Sequence, residues 1–296
     1  MADLTCVAPV GDWCGEAACW NDEDGRVYWT DVNRFLTHSY APCTGDVRSW
    51  FWDEPVVALS LTDEPGTMLV GLGSRMVLWR PADDSRREHG FRYDGWPAVR
   101  LNEGRAGPDG SFWVGSMGNN VGPDGEPGEW RPERGELMRV GPGSTEATLH
   151  MAGIGISNTM CWSPDRTRFY FGDTPRNRIG VWDYDPATGL IANEREFFAG
   201  FARGVPDGAA IDAEGCVWSC RWGGGCVVRV TPEGEVDRVV EVPARNITTC
   251  AWGGEGLDVL FITSARMTTG DADRLGGSLF ALTGAGRGVP DFRVRL

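Results

Sequence analysis

Four side chains that carry oxygen atoms, Glu16, Asn102, Asn158 and Asp207, recur at comparable places along this sequence. Each lies ten to twelve residues ahead of a short apolar segment of one type. We call these four residues the quartet. Carboxylate and amide oxygens are ligands of divalent cations, and Ca²⁺, Mg²⁺ and Mn²⁺ prefer them, although Fe²⁺ and Zn²⁺ also accept them. If folding brings the quartet together, it could hold one ion with positions left for water and substrate. The simpler alternative is that these residues only cap turns.

The apolar segments that set this register form an internal repeat. Each copy is a turn followed by an aromatic or aliphatic strand, and the copies begin 41 to 57 residues apart. They cover residues 27–31, 68–71, 112–116, 169–173, 217–220 and 260–264. A period of roughly 40–50 residues that is built of strands is typical of a β-propeller. We therefore predict an all-β fold, a six-bladed β-propeller of four-stranded antiparallel blades, in which residues 1–296 form a single domain.

The predicted fold explains why the quartet should converge. The inner strands of a propeller surround its axis, so positions at one register of these strands face one end of a central channel. Val57 and Thr249 occupy the equivalent positions of the other two repeats. The next strand of each repeat returns to the same end, and there Asp173 is predicted to orient a ligand by a hydrogen bond. The alternative for Asp173 is a turn cap before Thr174.

Two further segments have predicted places in the ring. The last repeat is short of strands after residues 278–282, whereas residues 4–7 have no partner of their own. Pairing this N-terminal strand with the last blade would close the ring and remove two exposed strand edges. Residues 118–134 form an insertion rich in Gly, Pro and acidic residues. We expect a long loop there, either over the mouth of the channel or free in solvent.

Composition excludes several classes of function. The formal net charge is −14 and all 28 basic residues are Arg, which argues against a nucleic-acid partner, a Schiff-base lysine and a phosphate loop that needs Lys. No Gly-x-Ser-x-Gly or Gly-x-Gly-x-x-Gly motif supports a serine hydrolase or a dinucleotide enzyme. Three scattered His cannot make a convincing zinc site, and His150 is the one nearest to the quartet in sequence. Cys216, Cys220 and Cys226 are more simply buried small residues than metal ligands.

The same composition gives expectations about location and partners. The N-terminal residues lack a basic, apolar leader, and no stretch reaches the length that spans a membrane. Nine Cys without regular spacing fit a reducing compartment. We expect a cytoplasmic, monomeric protein whose partner is a small molecule and which binds neither nucleic acid nor a membrane.

The segments around the quartet resemble those of the regucalcin (senescence marker protein)/gluconolactonase family, and the insertion looks closest to bacterial sugar-lactonases. The resemblance covers nearly the whole chain, because its motifs occur in order from the first repeat to the last. Those motifs are residues 14–17 (Cys-Gly-Glu-Ala), 100–105 (Arg-Leu-Asn-Glu-Gly-Arg), 112–117, 157–165, 206–208 (Pro-Asp-Gly) and 262–266. Two motifs depart from the usual pattern, since Ala17-Ala18 follows the first ligand and Glu103 follows Asn102. Neither departure removes a ligand.

The resemblance implies a six-bladed propeller and roles for individual residues. Glu16, Asn158 and Asp207 would bind one divalent cation, Ca²⁺, Zn²⁺, Mn²⁺ or Fe²⁺, and Arg100 and Asn102 would contact a sugar lactone. The expected reaction is hydrolysis of an aldonolactone to its aldonic acid, in carbohydrate metabolism. Asp207 would be the catalytic proton acceptor, or only a metal ligand. The alternative function is a non-catalytic propeller that binds a divalent metal or docks a protein, because one fold hosts many functions.

Overall fold

The computed structural model describes residues 2–132 and 134–296, which form six four-stranded antiparallel sheets. Glu133, one residue of the predicted loop, lies outside the described residues, as does Met1. The first strand along the chain is β1 (Asp3–Ala8). The first blade follows with β2 (Gly15–Asn21), β3 (Arg26–Asp31), β4 (Leu36–Ala41) and β5 (Asp46–Phe51). The second blade consists of β6 (Val56–Leu61), β7 (Met68–Leu72), β8 (Arg75–Arg80) and β9 (Ser85–Arg92).

The remaining blades repeat this order from the inner strand outward. The third contains β10 (Val99–Ala106), β11 (Phe112–Gly118), β12 (Gly135–Val140) and β13 (Ala147–Ile154). The fourth contains β14 (Ser157–Trp162), β15 (Arg168–Asp173), β16 (Arg178–Asp185) and β17 (Leu190–Ala199). The fifth contains β18 (Val205–Ile211), β19 (Val217–Trp222), β20 (Cys226–Val230) and β21 (Val236–Glu241). The sixth contains β22 (Asn246–Gly253), β23 (Val259–Ala265) and β24 (Leu279–Thr283).

The N-terminal strand completes the sixth blade. Strand β1 pairs with β24 in antiparallel register, so the last sheet has the order β1-β24-β23-β22. This pairing satisfies the outer edge of β24 and joins the two ends of the chain in one sheet. The predicted six-bladed propeller, its four-stranded antiparallel blades and its closure by the N-terminal strand are therefore confirmed.

Aromatic side chains fill the spaces between neighbouring blades. Trp113 of the third blade meets Trp162 and Phe169 of the fourth, with ring centroids 6.2 and 5.0 Å apart. Trp218 of the fifth blade meets Trp252 of the sixth edge to face at 5.5 Å. Rings of this size bury large apolar areas, and such pairings add to the gain from burial. The only helical elements in the described part of the chain are two 3₁₀ turns, and neither is long or apolar enough to cross a membrane.

Candidate active site

All six inner strands carry a β-bulge, and each bulge lies at or directly beside the predicted register position. In β14, for example, Asn158 pairs with Gly172 but the next pair is Cys161 with Tyr170, so two residues oppose one. The other shifts occur in β2, β6, β10, β18 and β22. A bulge bends the strand and re-aims its side chains. This local geometry turns the quartet toward the channel.

Backbone strain accompanies two of these bulges. Ala17 and Thr159 adopt left-handed conformations, with φ of 53° and 47°, directly after Glu16 and Asn158. A β-branched residue such as Thr159 is rarely found at positive φ, and such conformations persist where the surrounding structure enforces them. Here the Thr159 hydroxyl donates to the carbonyl oxygen of Asp207 at 2.5 Å. That bond ties the fourth blade to the fifth beside the quartet.

The quartet lines one cavity of about 170 Å³ at one end of the channel. Asn158 and Asp207 are buried, whereas Glu16 and Asn102 are partly exposed. Loops that follow the second strands contribute further lining. The other residues that line the cavity are Cys14, Asn33, Arg100, Met117, Asn120, Ile156, Thr174, Trp222 and Met267. The structure therefore brings together every residue predicted to bind metal or substrate.

Hydrogen bonds fix the direction of the Asn158 amide. Its nitrogen donates to the Thr174 hydroxyl at 2.9 Å, and that hydroxyl donates to the carbonyl oxygen of Pro206 at 2.7 Å. Because the hydroxyl proton is used on Pro206, Thr174 can only accept from the amide. The Asn158 oxygen is thereby left on the other side of the amide, where Asn102 approaches it at 3.4 Å. Asn158 thus keeps an acceptor oxygen available to a cation.

Burial disfavours the ionised forms of Glu16 and Asp207, the two carboxylates that line the cavity. Burial raises the pKa of Asp207 well above the usual range of an aspartate, and the nearby charge of Glu103 adds to the shift. Burial also raises the pKa of Glu16, and the charge of Asp207 acts in the same direction. Desolvated carboxylates of this kind gain from a nearby positive charge. The donor set therefore fits a divalent cation.

The composition of the site defines which ligands such an ion would have. Within residues 2–132 and 134–296, no three His, Cys, Asp or Glu side chains are grouped so that they could hold a metal. A cation at this cavity would therefore combine the two carboxylates with amide oxygens, such as that of Asn158. Hard oxygen ligands of this kind are typical of Ca²⁺, Mg²⁺ and Mn²⁺ sites.

Arg100 is the cationic side chain of the cavity wall, and most of its donors are already engaged. Its guanidinium donates to the side-chain oxygen of Asn120 at 3.0 and 3.2 Å and to that of Asn102 at 2.6 Å. A further bond reaches the carbonyl oxygen of Leu101. Burial lowers the pKa of Arg100 to about 10. Arg100 thus orients two amides at the cavity and retains little capacity for further hydrogen bonds.

The insertion lies over the mouth of the channel. It leaves the third blade after Gly118, and the Asn33 side chain of the first blade donates to the carbonyl oxygen of Gly125 at 2.8 Å. A Cβ atom at Gly125, where φ is +82°, would lie 1.9 Å from the Asn33 carbonyl oxygen, so this close approach requires Gly. Of the two arrangements expected for this segment, the structure has the loop across the mouth.

Asp173 contacts backbone rather than quartet side chains. Its carboxylate accepts from the backbone N–H groups of Gly155 and Ile156 at 3.2 Å, two to three residues before Asn158. Asp31 makes the equivalent bonds to Trp13 and Cys14 ahead of Glu16, at 2.8 and 3.2 Å. Both aspartates hold the segment that leads into a quartet residue. That Asp173 orients a ligand stays a prediction, and such an effect would reach Asn158 through the backbone of Gly155 and Ile156.

Several lining residues were missed by reasoning from the sequence. Asn33, Thr174, Trp222 and Met267 each lie within three residues after a repeat segment. Counting forward from the repeats, as well as backward, would have found them. His150 lies outside the cavity lining, because it is on β13 and packs on Trp113 with ring centroids 4.5 Å apart. Cys216, Cys220 and Cys226 are buried free thiols, as expected.

Comparison with known proteins gives consistent results. Residues 14–266 match the family model described as SMP-30/Gluconolactonase/LRE-like region. The chain is 33% identical to a pentonolactonase of Haloferax volcanii, over 95% of each chain, and 32% identical to a 6-deoxy-6-sulfogluconolactonase of Pseudomonas putida, over 89% of this chain and 87% of that one. It is also similar to the crystal structure of a calcium-binding protein, regucalcin, from Agrobacterium tumefaciens. That similarity has a TM-score of 0.89 and 27% identity and covers 98% of this chain and 97% of the other.

Proposed function

Because this chain belongs to the SMP-30/gluconolactonase/LRE-like family, we propose that it hydrolyses a sugar lactone in the cavity lined by the quartet, with one divalent cation held by Glu16, Asn158 and Asp207. The observation that carries the proposal is the convergence of four oxygen-bearing side chains from four blades on one cavity. Relatives named as sugar lactonases, about a third identical to this chain, support the reaction class.

The reaction adds water to the lactone carbonyl carbon and breaks the bond between that carbon and the ring oxygen. The attacking water loses a proton, and the ring oxygen gains one to become a hydroxyl group. Asp207 is the proposed acceptor of the water's proton, since its carboxylate is buried in the cavity wall. A divalent cation, when bound, would polarise the lactone carbonyl and offset the charge of both carboxylates.

The other side chains of the cavity bind and orient the substrate. Asn102 and Asn120 present amide groups whose directions are set by Arg100, and these amides suit the hydroxyl groups of a sugar. Trp222 and Met267 supply apolar surface for its C–H faces. The cavity, at about 170 Å³, is smaller than the roughly 300–1,000 Å³ of sites for drug-sized ligands. We infer that the substrate is a single-ring lactone.

A test of this proposal measures acid release from a panel of pentono- and hexonolactones in a pH-stat. Wild-type protein is assayed as purified, after removal of metal by a chelator, and after addition of Ca²⁺, Zn²⁺, Mn²⁺ or Fe²⁺. We expect acid release that stops on chelation and returns with at least one cation. Hydrolysis that survives chelation would contradict the proposed role of the metal. A protein that binds the cation but hydrolyses no lactone would instead be the non-catalytic propeller.

A further inference from the structure

A second group of reactive side chains lies in the first blade, outside the cavity. Ser49 on β5 and His38 on β4 face each other across the two strands, with Ser49 Oγ 2.7 Å from His38 Nδ1. On the other side of the imidazole ring, His38 Nε2 is 3.1 Å from Asp12 Oδ1. A hydroxyl, an imidazole and a carboxylate in this order form the arrangement that activates a serine nucleophile.

The partners of His38 determine its tautomer. We assign the proton to Nε2, because this nitrogen lies 3.1 Å from a carboxylate oxygen, which attracts an N–H group and repels a lone pair. Nδ1 is then the unprotonated nitrogen, and it accepts from the Ser49 hydroxyl. The contact between Nε2 and Asp12 is electrostatic, because it is not aligned as a hydrogen bond. Ser49 therefore donates its proton toward a base.

The charged groups close to His38 are two carboxylates and one guanidinium. Asp12 is 1% exposed and Asp31 is fully buried, so two carboxylates lie on this side of the blade. Arg34 is the cation paired with both of them, contacting Asp12 Oδ1 at 2.6 Å and also Asp31. The Trp29 indole N–H donates to the other oxygen of Asp12 at 2.7 Å. With neutral His38 the group carries one net negative charge, and with an imidazolium it is balanced.

Ser49 is accessible, whereas its two partners are not. The serine is exposed on β5, the outermost strand of the first sheet, while His38 is 3% exposed. An electrophile can therefore approach the hydroxyl from solvent.

We propose that Ser49 is a nucleophilic serine that is acylated by activated acyl donors, meaning small esters or thioesters with a good leaving group. In this step Ser49 Oγ forms a bond to the acyl carbon, and the bond from that carbon to the leaving group breaks. The leaving group departs with the bonding electrons. The hydroxyl proton passes to His38 Nδ1, and Asp12 stabilises the resulting imidazolium. This modification site is separate from the lactone cavity and uses no metal.

The proposal is tested with p-nitrophenyl acetate on the full-length protein in the presence of a chelator. The reaction is quenched with acid and followed by intact-mass and peptide mass spectrometry. We expect one acetyl group per chain, located on Ser49, together with a burst of p-nitrophenolate. Because the chelator would stop the proposed lactone hydrolysis but not this step, the failure of one proposal can be distinguished from the failure of the other.

Three variants assign the roles of the residues. Ser49→Ala should abolish the burst, and His38→Gln should slow acetylation about 100-fold, as expected for loss of a general base. Ser85→Ala is the matched control, because Ser85 is also exposed on an outer strand and its backbone N–H contacts Asp83 at 3.0 Å. It should leave the burst unchanged.

Two results would overturn the proposal. One is acetyl groups spread over several exposed serines at similar rates. The other is acetylation of Ser49 that is unaffected in a folded His38→Gln protein. If that variant does not fold, the comparison of Ser49→Ala with Ser85→Ala still decides the outcome, since both serines are exposed. Equal bursts in these two variants would contradict the assignment.

Discussion

The inner strands of blades one, three, four and five share a β-bulge with those of blades two and six but differ from them in the chemistry of the side chain at the bulge. All six strands bulge at the same register. Four of these bulges carry the quartet, whereas the other two carry Val57 and Thr249, which are 2% and 1% exposed. The fold thus supplies six equivalent positions that face the axis, and the choice of side chain decides which of them form a site.

The largest expected effect is the difference in lactone hydrolysis between variants of Asp207, on the bulge of the fifth blade, and of Thr249, at the equivalent position of the sixth. Asp207→Asn keeps the shape of the side chain but removes its charge and its basicity. We expect lactone hydrolysis to fall about 1,000-fold or more, since this residue is proposed both to hold the cation and to accept a proton. Thr249→Ser at the equivalent position of the sixth blade should stay within about three-fold of wild type. Steady-state kinetics on both variants measure the difference. Similar losses of lactone hydrolysis in the two variants would contradict a special role for the polar bulge positions.

The next effect concerns the hydrogen bond that orients Asn158. Thr174→Val removes the hydroxyl that accepts from the Asn158 amide and should weaken the affinity for a divalent cation about 10–100-fold. Thr174→Ser retains the hydroxyl and should bind nearly as well as wild type. Calorimetric titration of metal-free protein with Ca²⁺ or Mn²⁺ gives the affinity directly. Wild-type affinity in Thr174→Val would show that the amide needs no such anchor.

A smaller effect concerns stability without metal. The pKa of Asp207 in the folded protein is raised above its unfolded value of 3.8, so the folded state holds this proton more tightly. Lowering the pH through the raised pKa should therefore stabilise the metal-free protein, and the gain should level off below pH 3.8. At neutral pH, Asp207→Asn should melt higher than wild type in chelator, by roughly 2 °C for each kcal/mol, and lower than wild type in saturating metal. Thermal melts in both conditions test the reversal, and a variant that melts lower in both would contradict it.

The smallest expected effect lies at the loop over the mouth. Asn33→Ala removes the hydrogen bond to the carbonyl oxygen of Gly125. It should raise the KM for the lactone about five-fold, which corresponds to the net contribution of one hydrogen bond, with little change in kcat. Asn193→Ala, on an outer strand of the fourth blade, is the control and should behave as wild type. A fall in kcat without a rise in KM would mean that the loop serves chemistry rather than binding.

The regular part of this molecule could be predicted because it is periodic. Six repeats gave the blades, and counting back from each repeat gave the quartet. The loop across the mouth could not be decided, because its position depends on the contact between Gly125 and Asn33, 92 residues apart. The engagement of Arg100 with Asn120 likewise depends on where that loop lies.

The group around His38 shows another limit of the sequence. Asp12, His38 and Ser49 follow no motif, and they meet only because β4 pairs with β5 in one register and the segment before β2 folds behind them. A shift of one residue in that pairing would turn Ser49 to the other face of the sheet. Contacts that depend on strand register and on irregular segments have no regular spacing in the sequence, so a repeat pattern does not predict them.

A cation in the cavity lined by the quartet is the feature on which the proposed function depends most. The most direct measurement is a crystal structure of the wild-type protein soaked in Mn²⁺, with anomalous scattering used to locate the ion. We predict one strong anomalous peak in the cavity, within about 2.0–2.6 Å of oxygens from Glu16, Asn158 and Asp207. A peak held by other residues, or an empty cavity in a protein that hydrolyses lactones, would contradict a catalytic cation at Glu16, Asn158 and Asp207.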